Sequence, residues 1–261
     1  MGLVVDDLPS TDPSPLEWWA GQVIAGKRVR SWLPDVFERY ARILHPAYVR
    51  EETPQGIVHR LVTWSELARW SGKPLTTETC IDDLFLRSDG LSWSERGAPP
   101  TQGRLDPQCL RRLVNILAPA PDTAEDVWFL VWGGLGRGLL GYIPRGYAEI
   151  EVNPSWRGTG RTYLLFHGAL FASAEKDEGN QHGVPIRPMP KPPSFWWPMD
   201  RRWFVSTDIE SYSTYVGGSA TLVDRLLEDD VLEAVAVSLD DLYDPCVGEG
   251  NEDREEQAPG S

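Results

Sequence analysis

Two stretches of the chain carry apolar residues at the spacing of a helix with one buried face. The first follows Asp106, a suitable N-cap, with Pro107 at the first helical position. Its apolar positions are Leu110, Leu113, Val114 and Leu117. The second follows Ser219, and its apolar positions are Leu222, Val223, Leu226 and Leu227. Ser65 is expected to cap a shorter helix, so the pattern predicts several short helices.

Apolar runs of strand length predict a sheet. They cover residues 58–64, 127–132, 148–152, 161–166 and 203–210. Residues 37–47 fit a helix or a strand by periodicity, and the His45-Pro46 stop, together with the family resemblance given below, favours a strand. In the run 203–210, alternate side chains share a face of the strand. Trp203, Val205, Thr207 and Ile209 are predicted to face the core. Phe204, Ser206, Asp208 and Glu210 are then predicted to face solvent.

Polar stretches between these runs predict loops and turns. Residues 50–57 are charged and contain proline and glycine, and Gly217 and Gly218 are expected to form a turn. Helices and strands mix without regular alternation, which favours α+β over a doubly wound sheet. We therefore predict one α+β domain with a mixed or antiparallel sheet and several short helices.

The ends of the chain differ in composition from the middle. Residues 1–15 contain three acids and three prolines and are predicted to be a loose leader, with the domain at 16–247. Residues 240–261 hold eight acids against Arg254, a net charge of −7 out of −14 for the chain. Because residues 248–261 carry no apolar periodicity, we predict a disordered acidic tail.

Charge and cysteine content narrow the function classes. Thirty-nine acids against 25 bases disfavour binding to nucleic acid or to an anionic membrane. Cys80, Cys109 and Cys246 form no CxxC pair, and idle thiols in a reducing cytoplasm are expected. No run approaches the ~18 apolar residues of a membrane helix, and the acidic N-terminus does not fit a signal peptide. The expected location is cytoplasmic.

Residues 195–219 read FWWPMDRRWFVSTDIESYSTYVGGS. The patterns W-W-P-x-D-R-x-W-x-V-x-T-[DE] and T-Y-V-G-G-S, followed by an acidic-apolar helix, resemble a large group of uncharacterised actinobacterial proteins. The likeness extends over roughly residues 34–240, with further support at 37–47, 64–68, 127–132 and 163–166. The resemblance implies a shared fold and no particular mechanism.

The same stretch concentrates aromatic and arginine side chains, which are frequent in binding hot spots. The candidate binding residues are Trp196, Trp197, Arg201, Arg202, Tyr212 and Tyr215. Core packing is the alternative for the aromatic ones. The favoured function is a non-enzymatic binding or protein-interaction module with no cofactor and no metal. Its partner would be a protein, and the acidic charge suggests a basic one.

Three carboxylates indicate the alternative, a metal-dependent hydrolase or transferase. Asp208 and Glu210 would project from one face of a strand, with Asp200 before it, as in a hard-cation site or an acid/base pair. The competing interpretation is a solvated strand face, with Asp200 paired to Arg201 or Arg202. Since no nearby histidine or cysteine completes a hydrolytic set, binding is favoured over catalysis.

Overall fold

The computed structural model describes residues 3–5, 10–20, 26–85, 97–118, 125–134, 149–154, 160–170, 187–188 and 192–247. The strands in these ranges are β1 (Leu3–Val5), β2 (Arg39–Leu44), β3 (Ala47–Thr53), β4 (Gly56–Val62), β5 (Gly97–Ala98), β6 (Glu125–Trp132), β7 (Glu149–Pro154), β8 (Gly160–Leu170), β9 (Arg187–Pro188), β10 (Phe195–Pro198), β11 (Trp203–Ser206), β12 (Ser213–Gly218) and β13 (Ala234–Val237). The helices are α1 (Glu17–Ala20), α2 (Trp64–Ser71), α3 (Ile81–Phe85), α4 (Pro107–Leu117) and α5 (Ala220–Leu227). The predicted tail, 248–261, lies outside the described residues.

The strands form two antiparallel sheets. The larger has the order β13-β2-β12-β11-β10-β6-β8-β1-β9, with β7 also paired to β8. The smaller has the order β4-β3-β5. The predicted α+β domain is therefore confirmed, and its sheets are antiparallel. Residues 3–5 of the predicted leader are paired with β8. None of the described helices has the length and apolar content that crossing a membrane requires.

The larger sheet is buried on both faces near its centre. On one face, Trp203 and Val205 pack with the apolar sides of α4 and α5. On the other, Phe204 packs with Trp19 and other aromatic side chains from the N-terminal part of the chain. Phe204 and Ser206 are both 0% exposed, so the predicted solvent face of 203–210 is wrong. The strand also ends at Ser206, four residues earlier than predicted.

Helix starts follow the capping chemistry in the sequence. The Asp106 carboxylate accepts the Gln108 N–H at 2.8 Å, and the predicted stripe of α4 is buried. Ser219 caps α5 as predicted. For α2 the cap is Thr63 rather than Ser65, because Thr63 and Glu66 form a reciprocal capping box.

Residues 50–57 form no loop, contrary to the prediction. They belong mostly to β3 and β4, which pair from Ala47↔Val62 to Thr53↔Gly56. Gly56 to Arg60 are all exposed, so the outer part of this hairpin has no buried face to impose an alternating pattern on its sequence.

Gly217 and Gly218 lie in β12 and not in a turn. A Cβ on Gly217 would stand 2.5 Å from a ring carbon of Phe37, and one on Gly218 would stand 2.6 Å from a methyl of Leu222. The glycines are needed because a ring and a side chain pack directly on the strand backbone.

Cys80 and Cys246 form a disulfide, which corrects the prediction of idle thiols. They are 166 residues apart in sequence, and their Cα atoms lie 4.7 Å apart. Only the tertiary fold brings them together, so no spacing rule could have paired them. Cys109 is a buried free thiol, as expected.

Candidate functional site

Three of the predicted binding residues are core residues. Trp196, Trp197 and Tyr215 are each at most 2% exposed. Trp196 packs edge-on against Trp203, with ring centroids 5.3 Å apart. Trp197 stacks on Phe204 at 5.6 Å. The apolar surface that these three side chains bury stabilises the sheet, and a ligand at the protein surface cannot contact them.

The two predicted arginines lie in an exposed turn between β10 and β11. The Arg201 N–H donates to the Pro198 carbonyl at 2.9 Å, which closes the turn. Arg202 Nη1 donates to Asp200 Oδ2 at 2.6 Å, so Asp200 is paired with Arg202, one of the two partners expected for it. Asp200 and Arg202 are about half exposed and form a surface ion pair.

Arg201 adopts the left-handed conformation, with φ of 58°. For a residue with a Cβ this costs roughly 1–2 kcal/mol relative to the right-handed region. Its guanidinium lies over the indole of Trp18, 5.2 Å from the ring centroid. A cation–π contact of this kind offsets about 0.5–1 kcal/mol at an exposed site. Backbone strain held by a side-chain contact is frequent at functional positions.

Sequence reasoning missed the residues that surround Arg201. Met199 is 56% exposed, and Trp128 Nε1 donates to its sulfur at 2.8 Å. Trp18 and Trp128 are half-buried and pack against the same aromatic core. We define the turn surface as Trp18, Trp128, Met199, Arg201 and Arg202. No sequence signal links it, because its members come from α1, β6 and the β10–β11 turn.

Tyr212 belongs to a different part of the molecule. It lies just before β12, at the end of the β11–β12 pair opposite to the Arg201 turn. Its N–H donates to Asp244 Oδ2 at 2.9 Å, and its half-buried side chain packs near α2 and α3. The predicted binding set therefore does not form one site.

Two of the three predicted carboxylates converge, and they do so on a cation from the chain. Arg161 of β8 binds Asp208 through Nη1 and donates from Nη2 to Glu210 Oε2 at 2.8 Å. Arg161 and Asp208 side chains are largely buried, and that of Glu210 is one-third exposed. Asp200 lies beyond the opposite end of β11 and cannot join them.

The ion pair lies in a low-dielectric environment. Burial raises the pKa of Asp208 above its ordinary value, although the Arg161 charge opposes this shift. The Asp208 N–H donates to the Tyr243 hydroxyl at 3.1 Å, and that hydroxyl is also hydrogen-bonded to Ser206. Among the described residues, no three His, Cys, Asp or Glu side chains are grouped as metal ligands. This arrangement resembles a structural ion pair more than an acid/base pair facing a substrate.

Scans of family models, curated proteins and solved structures find no match to this chain.

Proposed function

We propose that this protein is a non-enzymatic protein-binding module and that the turn surface is its binding face. The observation that carries the proposal is Arg201, held in a strained conformation over Trp18 beside the exposed Met199. Tryptophan, arginine and methionine are enriched at protein interfaces. The proposal keeps Arg201 and Arg202 from the sequence prediction and replaces the buried tryptophans with Trp18 and Trp128.

The partner we propose is a basic protein. The chain carries a net charge of −14, which attracts a basic partner over long range and accelerates association at low salt. At the face itself, Met199 and the indoles offer apolar contact, and the half-exposed Asp200 carboxylate beside Arg202 offers an acceptor for a basic side chain. Charge would then govern the association rate, and the turn surface would govern the lifetime of the complex.

We further propose three properties of the protein as a whole. The protein does not bind nucleic acid, because its acidic balance opposes contact with phosphate. It is located in the cytoplasm, where a disulfide is usually transient. It belongs to the actinobacterial group that it resembles, on the two motifs in residues 195–219.

Site-specific crosslinking in living cells tests the proposed binding face. A photo-crosslinking residue is placed at Met199 and, as the control, at Val36, which is equally exposed at 56%. We expect a basic protein to be crosslinked from position 199 and not from 36. Equal crosslinking from both positions, or crosslinking only to a second copy of this chain, contradicts the proposal.

Affinity for the purified partner then tests the residues of the turn surface. We expect Met199→Ser and Arg201→Gly each to weaken binding by about 5- to 30-fold, as a hot-spot loss of 1–2 kcal/mol would. Val36→Ser is the matched control and should leave the dissociation constant unchanged. Arg201→Gly relieves the backbone strain but removes the contact with Trp18, so a melting temperature equal to the parent's is required to show that weaker binding does not come from unfolding. Unchanged affinity in both variants excludes this face.

A metal-dependent hydrolase or transferase is the second candidate, now limited to Asp208 and Glu210. The observation that favours it is the convergence of two carboxylates, one of them with a raised pKa. Arg161 already pairs with both carboxylates, so a cation would have to displace its guanidinium.

We therefore predict that Mg²⁺ and Ca²⁺ leave the melting temperature of the parent protein unchanged. A bound ion at 100 times its Kd would add about 2.7 kcal/mol, which thermal melts resolve. The control is the double change Asp208→Asn with Glu210→Gln. A saturable shift in the parent that is absent from the double variant would make the enzyme the first choice.

A further inference from the structure

The C-terminal strap, residues 242–247, is tied to the body of the protein by the Cys80–Cys246 disulfide. Cys80 directly precedes α3, and Cys246 lies in the 3₁₀ turn Pro245–Val247. Both residues are partly exposed, whereas the free Cys109 is buried. The disulfide therefore lies nearer to solvent than the third cysteine does.

Tyr243 is the main anchor of the strap. Its ring stacks between Trp32, at 4.6 Å between centroids, and Tyr215, at 4.3 Å. Its hydroxyl accepts the Asp208 N–H at 3.1 Å and is hydrogen-bonded to Ser206 Oγ at 3.0 Å. The strap thus supports the backbone of the segment that follows β11, next to the Arg161 ion pair.

Asp244 supports the other end of the β11–β12 connection. Its Oδ2 accepts the Tyr212 N–H at 2.9 Å, and its own N–H donates to the Tyr215 hydroxyl at 2.8 Å. Asp244 has a φ of 55°, and aspartate can adopt this left-handed conformation because its side chain hydrogen-bonds locally: Oδ1 accepts the Cys246 N–H at 3.0 Å. Asp244 therefore fixes the path of the strap immediately before the disulfide.

We propose that Cys80–Cys246 is a reversible thiol–disulfide site and that its reduction by a dithiol releases the strap from the β11–β12 connection. A thiolate of the dithiol attacks Cys80 Sγ, the disulfide breaks, and Cys246 leaves as a thiolate. The second thiolate of the reductant then attacks the reductant sulfur that is bonded to Cys80 in the mixed disulfide, and Cys80 leaves as a thiolate. The reductant becomes a cyclic disulfide, and its two protons are taken up by the two protein sulfurs.

The surroundings of Cys246 favour this direction of attack. The Ile81 N–H donates to Cys246 Sγ at 3.2 Å. A backbone N–H so placed stabilises negative charge on the leaving sulfur, and a better-stabilised thiolate leaves faster. Once the bond is open, the strap is held only by non-covalent contacts, chiefly those of Tyr243 and Asp244. The thiol state would then control the order of the β11–β12 connection.

Hydrogen exchange of the full chain, oxidised or treated with dithiothreitol, tests the proposal. We expect amides of Asp208 and Tyr212, which donate to the strap, to exchange at least about tenfold faster after reduction. Amides in β6 should not change. Intact mass first confirms that the oxidised sample lacks two hydrogens relative to the reduced one.

Two variants separate strap release from general loosening. Cys246→Ser should show the fast exchange without reductant, and Cys109→Ser should behave as the parent in both states. Unchanged exchange at Asp208 and Tyr212 after complete reduction overturns the proposal. So does full alkylation of Cys80 and Cys246 in protein incubated with oxidised glutathione, because the disulfide would then not form.

Discussion

At the scale of single residues, the tryptophans differ sharply in what they contribute. Trp203 is 1% exposed and contacts Trp196 within the main core, whereas Trp70 on α2 is 38% exposed. A buried indole removes a large apolar area from water, and truncating it leaves a cavity that the surroundings fill only in part. The same residue type therefore has very different effects on stability at these two positions.

We predict that Trp203→Ala lowers the free energy of unfolding by about 3–5 kcal/mol. Trp70→Ala is the control and should lower the free energy of unfolding by less than about 1 kcal/mol. That loss includes the cation–π contact with the Arg60 guanidinium, which lies over the Trp70 ring. Urea unfolding measures both. A Trp203→Ala protein as stable as the parent would show that this strand face is not packed as described.

His45 is a second residue whose environment sets its behaviour. It is 1% exposed, and its Nε2 lies 2.9 Å from Thr214 Oγ1. Burial lowers the pKa of His45 to about 3, from an ordinary value of 6.5. The folded protein therefore resists a proton that the unfolded chain accepts. The contribution of neutral His45 to the free energy of unfolding is therefore fully present above pH 6.5 and is lost as the pH falls towards 3.

We predict that His45→Gln, which cannot be protonated in this range, reduces the dependence of stability on pH. Between pH 6 and 4 the parent should lose up to about 1.4 kcal/mol per pH unit more than the variant. Chemical denaturation at each pH measures the difference. Parallel slopes for the two proteins would mean that His45 is protonated in the folded state as readily as in the unfolded one.

At the scale of elements, Arg161 links β8 to the segment that follows β11. Its partners Asp208 and Glu210 are separated from it by more than 40 residues of sequence. A buried ion pair contributes little net stability, but removal of one partner leaves an uncompensated charge. The pair therefore specifies how the two elements meet more than it strengthens the fold.

We predict that Arg161→Met destabilises the protein by about 3–5 kcal/mol and that adding Asp208→Asn restores part of that loss. The control is Arg202→Met, whose ion pair with Asp200 is exposed and should matter by less than about 1 kcal/mol. If Asp208→Asn makes the Arg161→Met protein less stable still, the two residues act independently.

At the scale of the whole molecule, the last described segment closes the core. Tyr243 is buried between aromatic rings, and Cys246 is bonded to Cys80. Residues 248–261 contain no apolar periodicity that would predict burial. The boundary between a needed and a dispensable C-terminus is therefore expected at Val247.

We predict that a chain ending at Val247 melts within about 2 °C of the full chain. A chain ending at Leu242 should melt many degrees lower, since each kcal/mol lost shifts the melting temperature of a protein of this size by roughly 2–4 °C. Differential scanning fluorimetry under oxidising conditions compares the three. A large drop on removal of 248–261 would show that the acidic tail contributes to folding.

The amino-acid sequence by itself determined the local features of this protein. The start and buried face of α4 follow from Asp106, Pro107 and the stripe of leucines, because a helix cap and a helical repeat need only neighbouring residues. The cap of α5 at Ser219 follows in the same way. The α+β class was predictable because it depends on which elements exist and not on how they pack.

Tertiary structure alone decided which surfaces meet. The alternating pattern of β11 predicted that its two faces differ. Whether the second face is exposed to solvent depends on what packs against it, and aromatic residues distant in sequence cover it. The Arg161 ion pair and the turn surface join residues far apart in sequence. The disulfide joins two cysteines that are 166 residues apart in sequence. Long-range contacts depend on the path of the whole chain, which local spacing does not encode.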